Sequence, residues 1–276
     1  MASVHTYAPT GWEGFRVDQQ VLLPISGLIV GLLIGLTGIG GGVLMTPLLL
    51  LLGLPPTAAV GTDLAYSTLT KLAGAIQHGR QGTVDWKVVK NLATASIPFT
   101  VFAVWLLSRM QSVQTSENVE HRLKQLIGVM LVIAAVLMLR KTLMAPRAVS
   151  SLNVSHLTSY PFVRILIIGA LGGFLVGLTS IGSGSLIIAL LVMVITLPAA
   201  TLVGTDIAHA FFLVTAGALA HVFFLHDVHF QMAGLLLIGS IPGVLIGSRL
   251  AVWVPRKPLQ VGMAGLLLTT AWSLLR

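Results

Sequence analysis

The chain has 276 residues, 55% of them hydrophobic and only 9% charged, against about 25% charged in a typical soluble domain. A mean hydropathy of +0.96 leaves too little polar surface to cover a soluble globule, so the apolar excess faces lipid and no sizeable soluble domain fits. The net charge of +8 comes from basic residues set singly in short loops between apolar stretches, a mark of membrane topology rather than of nucleic-acid binding.

In chain order, residues 1–20 carry Glu13, Arg16 and Asp18 and no apolar run, so they do not read as a cleaved secretory signal. Five apolar segments follow at 21–37, 43–54, 58–77, 88–107 and 123–139. A connecting stretch at 145–162 leads to five more, at 163–179, 186–197, 199–225, 232–254 and 259–275. This divides the chain into an N-terminal segment (1–20), a first transmembrane repeat (21–144), the connecting loop (145–162) and a second repeat (163–276).

The two sets are copies. Gly27, Gly31, Gly35, Thr37, Ile39, Gly40 and Gly42 recur in register as Gly169, Gly173, Gly177, Thr179, Ile181, Gly182 and Gly184. Leu54-Pro55 recurs as Leu197-Pro198, and Val60-Gly61-Thr62-Asp63 as Val203-Gly204-Thr205-Asp206. Ala73-Gly74-Ala75 and His78 match Ala216-Gly217-Ala218 and His221, and Ser96-Ile97-Pro98 matches Ser240-Ile241-Pro242.

The second segment of each copy is about 12 residues, roughly 18 Å of helix, short of a hydrocarbon core of about 30 Å. It is separated from the first by Gly38-Ile39-Gly40-Gly41-Gly42 or Ser180-Ile181-Gly182-Ser183-Gly184, stretches that hold a helix poorly. Irregular backbone at membrane depth survives only inside protein or beside a polar cavity. Each copy is therefore predicted to be a broken, V-shaped helix pair plus three spanning helices, an odd number of crossings that makes the copies inverted repeats in an all-α polytopic membrane protein. With that parity one side gathers Arg80, Lys87, Lys90, Arg140, Lys141, Arg147, Arg164, Arg249, Arg256 and Lys257, and the other only Arg16, Arg109, Arg122, Lys124 and Arg276. The first side is cytoplasmic by the positive-inside rule, which puts both termini outside, on a multi-pass protein of the cell membrane. Inverted repeats with broken helices are a plan of secondary transporters, with substrate bound near the midplane.

Several residues carry candidate chemistry. The amide-rich breaks form nests for an anion, which nominates Gly38, Gly40, Gly41 and Gly42 in the first and Gly182 and Gly184 in the second. Ser180, Ser183 and Ser185 add hydroxyls, and Thr37 and Thr179 precede the breaks. The glycine ladders ending at Gly35 and Gly177 are predicted to serve close helix packing. Asp63 and Asp206, equivalent carboxylates within apolar segments, are costly to bury and mark a polar pathway; since each follows Gly-Thr, each alternatively caps its helix. Lys71, two turns after Asp63, has Val214 as its counterpart and either offsets Asp63 or draws an anion. Tyr66 is matched by His209, and with Lys71 these residues would distinguish substrates. His78 and His221 read as polar anchors, Pro98 and Pro242 as shapers of the fourth segments, and His226, Asp227 and His229 as a solvated loop rather than a metal site. Zero cysteines exclude a disulfide framework and a thiolate nucleophile; no cofactor or metal is expected.

The twin pattern of Gly-rich break, short apolar run, Leu-Pro and Val-Gly-Thr-Asp resembles the TauE/SafE family of sulfite and organosulfonate exporters, over residues 21–275. The resemblance implies a small sulfur-containing anion, such as sulfite, sulfoacetate or another organosulfonate, as the substrate. The family's glycine run maps to Gly38–Gly42, with Gly182 and Gly184 in the second half, and its Gly-Thr-Asp segments to Asp63 and Asp206. Pro98 departs from the family in being followed by Phe99 and Thr100 where Pro242 is followed by Gly243. The expectation is a non-enzymatic exporter working by alternating access with proton coupling, in contact with lipid and not with nucleic acid; homodimerisation is left open. The alternatives are a passive anion channel and an intramembrane aspartyl protease in which Asp63 and Asp206 share a proton.

Overall fold

The structure, a computed structural model, describes residues 17–37, 41–113, 116–143, 162–184, 186–192, 194–195, 197–250, 253 and 256–276. The described residues are helical, with no strand. In chain order the helices are α1 (Val17–Thr37), α2 (Gly42–Leu51), α3 (Pro56–Arg80), α4 (Trp86–Val113), α5 (Ser116–Leu143), α6 (Phe162–Thr179), α7 (Leu186–Val192), α8 (Ala199–Ala220), α9 (Phe230–Leu250) and α10 (Arg256–Leu275). A π-helical turn, His221–Leu225, extends α8. Seven of these are long and apolar enough to cross a membrane, namely α1, α4, α5, α6, α8 with its π turn, α9 and α10. α3 has 25 residues, about 37 Å at 1.5 Å per residue, but its polar side chains lower its hydropathy and it lies against α8, α2 and α9.

The two short helices match the predicted breaks. α2 has 10 residues and α7 only 7, shorter than the run 186–197 predicted. A Cβ built on Gly172, within α6, would lie 2.9 Å from Ile187 at the start of α7, so α7 folds back along α6. Gly41, at the start of α2, likewise faces Ile34 of α1 at 3.5 Å.

Two helix pairs are locked by glycine, each joining one half of the chain to the other. α1 packs parallel to α9, with Gly27 on Leu236, Gly31 on Ser240 and Gly35 on Val244; α6 packs parallel to α4, with Gly169 on Leu92, Gly173 on Ser96 and Gly177 on Thr100. At Gly31 and Gly173 an added Cβ would overlap the facing serine's carbonyl oxygen, so only glycine permits the approach. This is the packing role predicted for the ladders, and it brings backbones into the van der Waals contact that drives helix association in lipid. Phe99, the bulky departure after Pro98, points outward and is 46% exposed, so it leaves this interface untouched; Thr100 instead donates to Gly173 O at 2.7 Å.

Between the locked pairs run α3 and α8. Leu64 meets Gly217 and Ile207 meets Gly74, so these equivalent helices are antiparallel. Their starts are equivalent too. Pro55 and Pro198 sit at the N-caps, with φ of −56° and −54°, the fixed φ that favours proline at a helix start.

Each start docks on the other's end. Thr62 Oγ1 accepts from His229 N at 3.0 Å and Thr205 Oγ1 from Asp85 N at 2.9 Å. Gly61 lies against His221 and Asp227, Gly204 against His78 and Thr83. His78 bonds Thr83 Oγ1 at 2.9 Å and His221 bonds Asp227 Oδ1 at 3.1 Å, the anchoring role predicted for both. The loop 226–229 is thus a docked element rather than a purely solvated one. His226 is exposed, but Asp227 is engaged by His221 and His229 by Thr62. Among the described residues no group of three such side chains is placed to hold a metal ion.

Candidate functional site

The breaks meet each other. A Cβ on Gly42 would lie 2.5 Å from Ser180 O, so the start of α2 touches the end of α6. Gly41 lies 3.3 Å from the Tyr66 ring on the same terms. The second break stays unwound from Ser180, at φ 58°, through Gly182, at φ 108°, a left-handed conformation that glycine adopts at little cost. In the first, Gly41 O accepts from Leu44 N and Met45 N at 3.0 and 2.9 Å, so the chain is helical from there on.

Around this contact the buried polar groups converge. Asp63 is wholly buried; its Oδ2 accepts from Thr46 Oγ1 at 2.5 Å and its Oδ1 from Ser67 Oγ at 3.2 Å. Ser67 is one turn on along α3, whereas Thr46 reaches in from α2. The capping reading of Asp63 and Asp206 is therefore corrected. The prolines start α3 and α8 earlier than Gly-Thr-Asp, neither helix has a side-chain cap, and both carboxylates lie within their helices. The Lys71 ammonium donates to Ser183 O in the second break at 2.6 Å and interacts with both Asp63 and Asp206. The Lys71 ammonium lies within ion-pair distance of neither carboxylate, and no hydrogen bond joins the carboxylates to each other.

Tyr66 and His209, equivalents on α3 and α8, each face a serine from the opposite half. His209 Nε2 bonds Ser96 Oγ of α4 at 2.8 Å; Tyr66 lies near Ser240 of α9 and near Asp63, without a hydrogen bond from its hydroxyl to either. Ser96 and Ser240 are themselves equivalents, each on a glycine-locked helix. Five buried polar atoms here have no hydrogen-bond partner, namely Tyr66 OH, Ser180 Oγ, Asp206 Oδ1, His209 Nδ1 and Ser240 Oγ. A buried polar group without a partner costs about 1–3 kcal/mol, which makes these five atoms the candidate contacts for a polar ligand.

Of the predicted site residues, Asp63, Tyr66, Lys71, Ser180, Ser183, Asp206, His209, Gly41 and Gly42 come together here. Thr37 and Thr179 donate back to Leu33 O and Leu175 O at 2.6 and 2.7 Å, and Thr179 Oγ1 also accepts from Ile181 N at 3.2 Å, closing the end of α6. Gly182 and Gly184 give the second break its path. Gly38, Gly40 and Ser185 lie outside the described residues. Sequence reasoning missed Thr46, Ser67, Ser96 and Ser240. The last two were visible as a matched pair in the repeat, and Thr46 as the one hydroxyl in the run Gly42–Leu51.

Residues 23–274 match the protein family described as "Sulfite exporter TauE/SafE". The chain is 42% identical over 258 residues to "Probable membrane transporter protein YjnA" of Bacillus subtilis, covering 93% of this chain and 100% of that one. It is 30% identical over 241 residues to a "Probable membrane transporter protein" of Xylella fastidiosa, covering 84% and 85%. A shorter likeness, 43% identical over 63 residues, is to "Sulfite exporter TauE/SafE family protein 6" of Arabidopsis thaliana, covering 21% of this chain and 15% of that one. No solved structure matches the chain significantly.

Proposed function

The chain belongs to the TauE/SafE sulfite exporter family and is a multi-pass membrane transporter, and from that premise we propose that it moves a small sulfur-containing anion outward by alternating access. The observation that carries this reading is the cluster of buried polar atoms without partners, Tyr66 OH, Ser180 Oγ, Asp206 Oδ1, His209 Nδ1 and Ser240 Oγ, on the helices that also carry Lys71 and the breaks. Ser180, Tyr66 and Ser240 offer O–H donors to an oxyanion, and Lys71 offers the charge. The site holds one ammonium and two carboxylates, so an entering anion needs more positive charge than Lys71 supplies. Asp63 and Asp206 take up that charge as protons, which couples anion and proton occupancy.

Alternating access needs two equivalent ways out, and we read the halves as inverted repeats. Support comes from the antiparallel packing of α3 on its equivalent α8, the fold-back of α7 on α6, and the contacts that recur with the halves exchanged. The predicted orientation follows, with both termini outside. Because the chain has no cysteine, single introduced thiols report it cleanly. Arg276→Cys is expected to react with an impermeant maleimide on intact cells, and Gln81→Cys, in the exposed turn after α3, only after the cells are opened; the reverse pattern would invert the topology.

The substrate class is tested by thermal stabilisation of the purified protein. Sulfite and sulfoacetate are expected to raise the melting temperature, since a ligand at 100 times its Kd adds about 2.7 kcal/mol, while simple carboxylates leave it unchanged. Stabilisation by carboxylates and by no sulfur anion would overturn the assignment.

A further inference from the structure

The two ends of the α3–α8 pair are equivalent in position but not in chemistry. At one, His78 Nδ1 bonds Thr83 Oγ1 at 2.9 Å and that hydroxyl donates on to His78 O at 3.2 Å. A neutral imidazole with its proton on Nδ1 meets both of these contacts. At the other end Asp227 stands in the place of Thr83. His221, wholly buried, turns Nδ1 to Asp227 Oδ1 at 3.1 Å and Nε2 to Gly177 O at 3.3 Å. A carboxylate and a carbonyl oxygen only accept, and a neutral imidazole has a single N–H, so the imidazolium alone serves both. The histidine and its partner are five residues apart in the first copy and six in the second. The extra residue is taken up at the π turn His221–Leu225, a rare form that recurs at functional sites.

We propose that His221, Asp227 and Gly177 O form a proton-binding site, distinct from Asp63 and Asp206 and without an equivalent at the other end of the pair. With the proton bound, the ring ties the loop 226–229 to the last turn of α6, which runs into the second break. Without it the ring keeps Asp227, but a bare Nε2 faces the Gly177 carbonyl oxygen and that tie is released. Gly61 leaves room for the pair over α3, since a Cβ there would lie 2.8 Å from His221 Nδ1 and 3.0 Å from Asp227 Oδ1. Gly61 and Thr62 of α3 and Gly177 of α6 bring no titratable side chain. From α4, Ser108 donates to Phe224 O at 3.0 Å, and Arg109 is turned to the Trp105 ring. The titratable neighbours are His226 and His229 of the same loop and Glu120 of α5, which accepts from Thr57 Oγ1 at 2.7 Å and lies near Asp227. The proton site stands on this geometry; its coupling to anion movement rests on the transport reading.

Hydrogen exchange of the purified protein, with no transport substrate present, tests the site apart from the cycle. Protection of the segment 221–229, corrected for the intrinsic pH dependence of exchange, is expected to fall at least about tenfold between about pH 5 and about pH 8, the range in which histidine changes charge. The equivalent segment 78–85 is expected to keep its protection. In Asp227→Asn the pH dependence is expected to vanish, because the amide NH2 donates to Nδ1 and leaves Nε2–H of a neutral ring for Gly177 O. Equal protection of 221–229 at both pH values overturns the proposal, as does an equal loss in 78–85, and the wild-type comparison decides both even if the variant does not fold. An Asp227→Asn protein that keeps the full pH dependence overturns it as well.

Discussion

Gly31→Val and Gly173→Val are each expected to abolish recovery of folded protein. The positions are equivalents at the centres of the two locked pairs, and in each the new Cβ would occupy the space of a serine backbone carbonyl on the facing helix. A side chain can swing away, but a helix backbone cannot, so the only relief is separation of α1 from α9 or of α6 from α4. The penalty lies at or above the upper end of overpacking costs, about 3 kcal/mol, with loss of the backbone contact that replaces the hydrophobic effect in lipid. Gly265→Ala in α10, where nothing lies within 4 Å of the new methyl, is the control; it is expected to be neutral or stabilising by about 0.4–1 kcal/mol. Size-exclusion profiles and melting curves in detergent decide the matter, and a Gly31→Val protein as stable as wild type would remove the locked pairs from the account.

Asp63→Asn and Asp206→Asn are expected to leave the fold intact and cut proton-coupled flux at least about tenfold, the equivalent of 1.4 kcal/mol. An amide keeps the shape of the carboxyl: its oxygen accepts from one of Thr46 and Ser67, and its NH2 donates to the hydroxyl oxygen of the other. What the amide cannot do is gain and lose a proton. Asp206 is the sharper case, because its Oδ1 has no partner to be disturbed. If both variants melt like wild type yet carry the same pH-gradient-driven flux, the coupling role falls and the transport role stands.

Much of this was legible in the sequence because duplication writes most of the packing contacts twice. The glycine ladders, the breaks, the paired Val-Gly-Thr-Asp segments and the matched histidines all appear in register, and each has a structural role on both sides. Partnership was not legible. That Ser96 belongs to His209, and that Ser240 lies by Tyr66, depends on α4 packing against α8 and α9 against α3, contacts between helices far apart in the chain. Read alone, Ser-Ile-Pro points to the proline. The capping reading failed for a local reason, since a proline start with φ fixed near −55° outranks a later aspartate as the place where a helix begins. The docked loop at 226–229 was missed because its partners, Thr62 and Gly61, belong to the other half.

The central claim, that the cluster of buried polar atoms carries a sulfur-containing anion out of the cell, is tested most directly by uptake of a labelled organosulfonate into inverted membrane vesicles holding the protein, with and without an imposed pH gradient. The account predicts saturable uptake above that of empty vesicles, altered by the gradient in wild type and not in Asp206→Asn. Uptake that equals that of empty vesicles for sulfite and organosulfonates alike would contradict it.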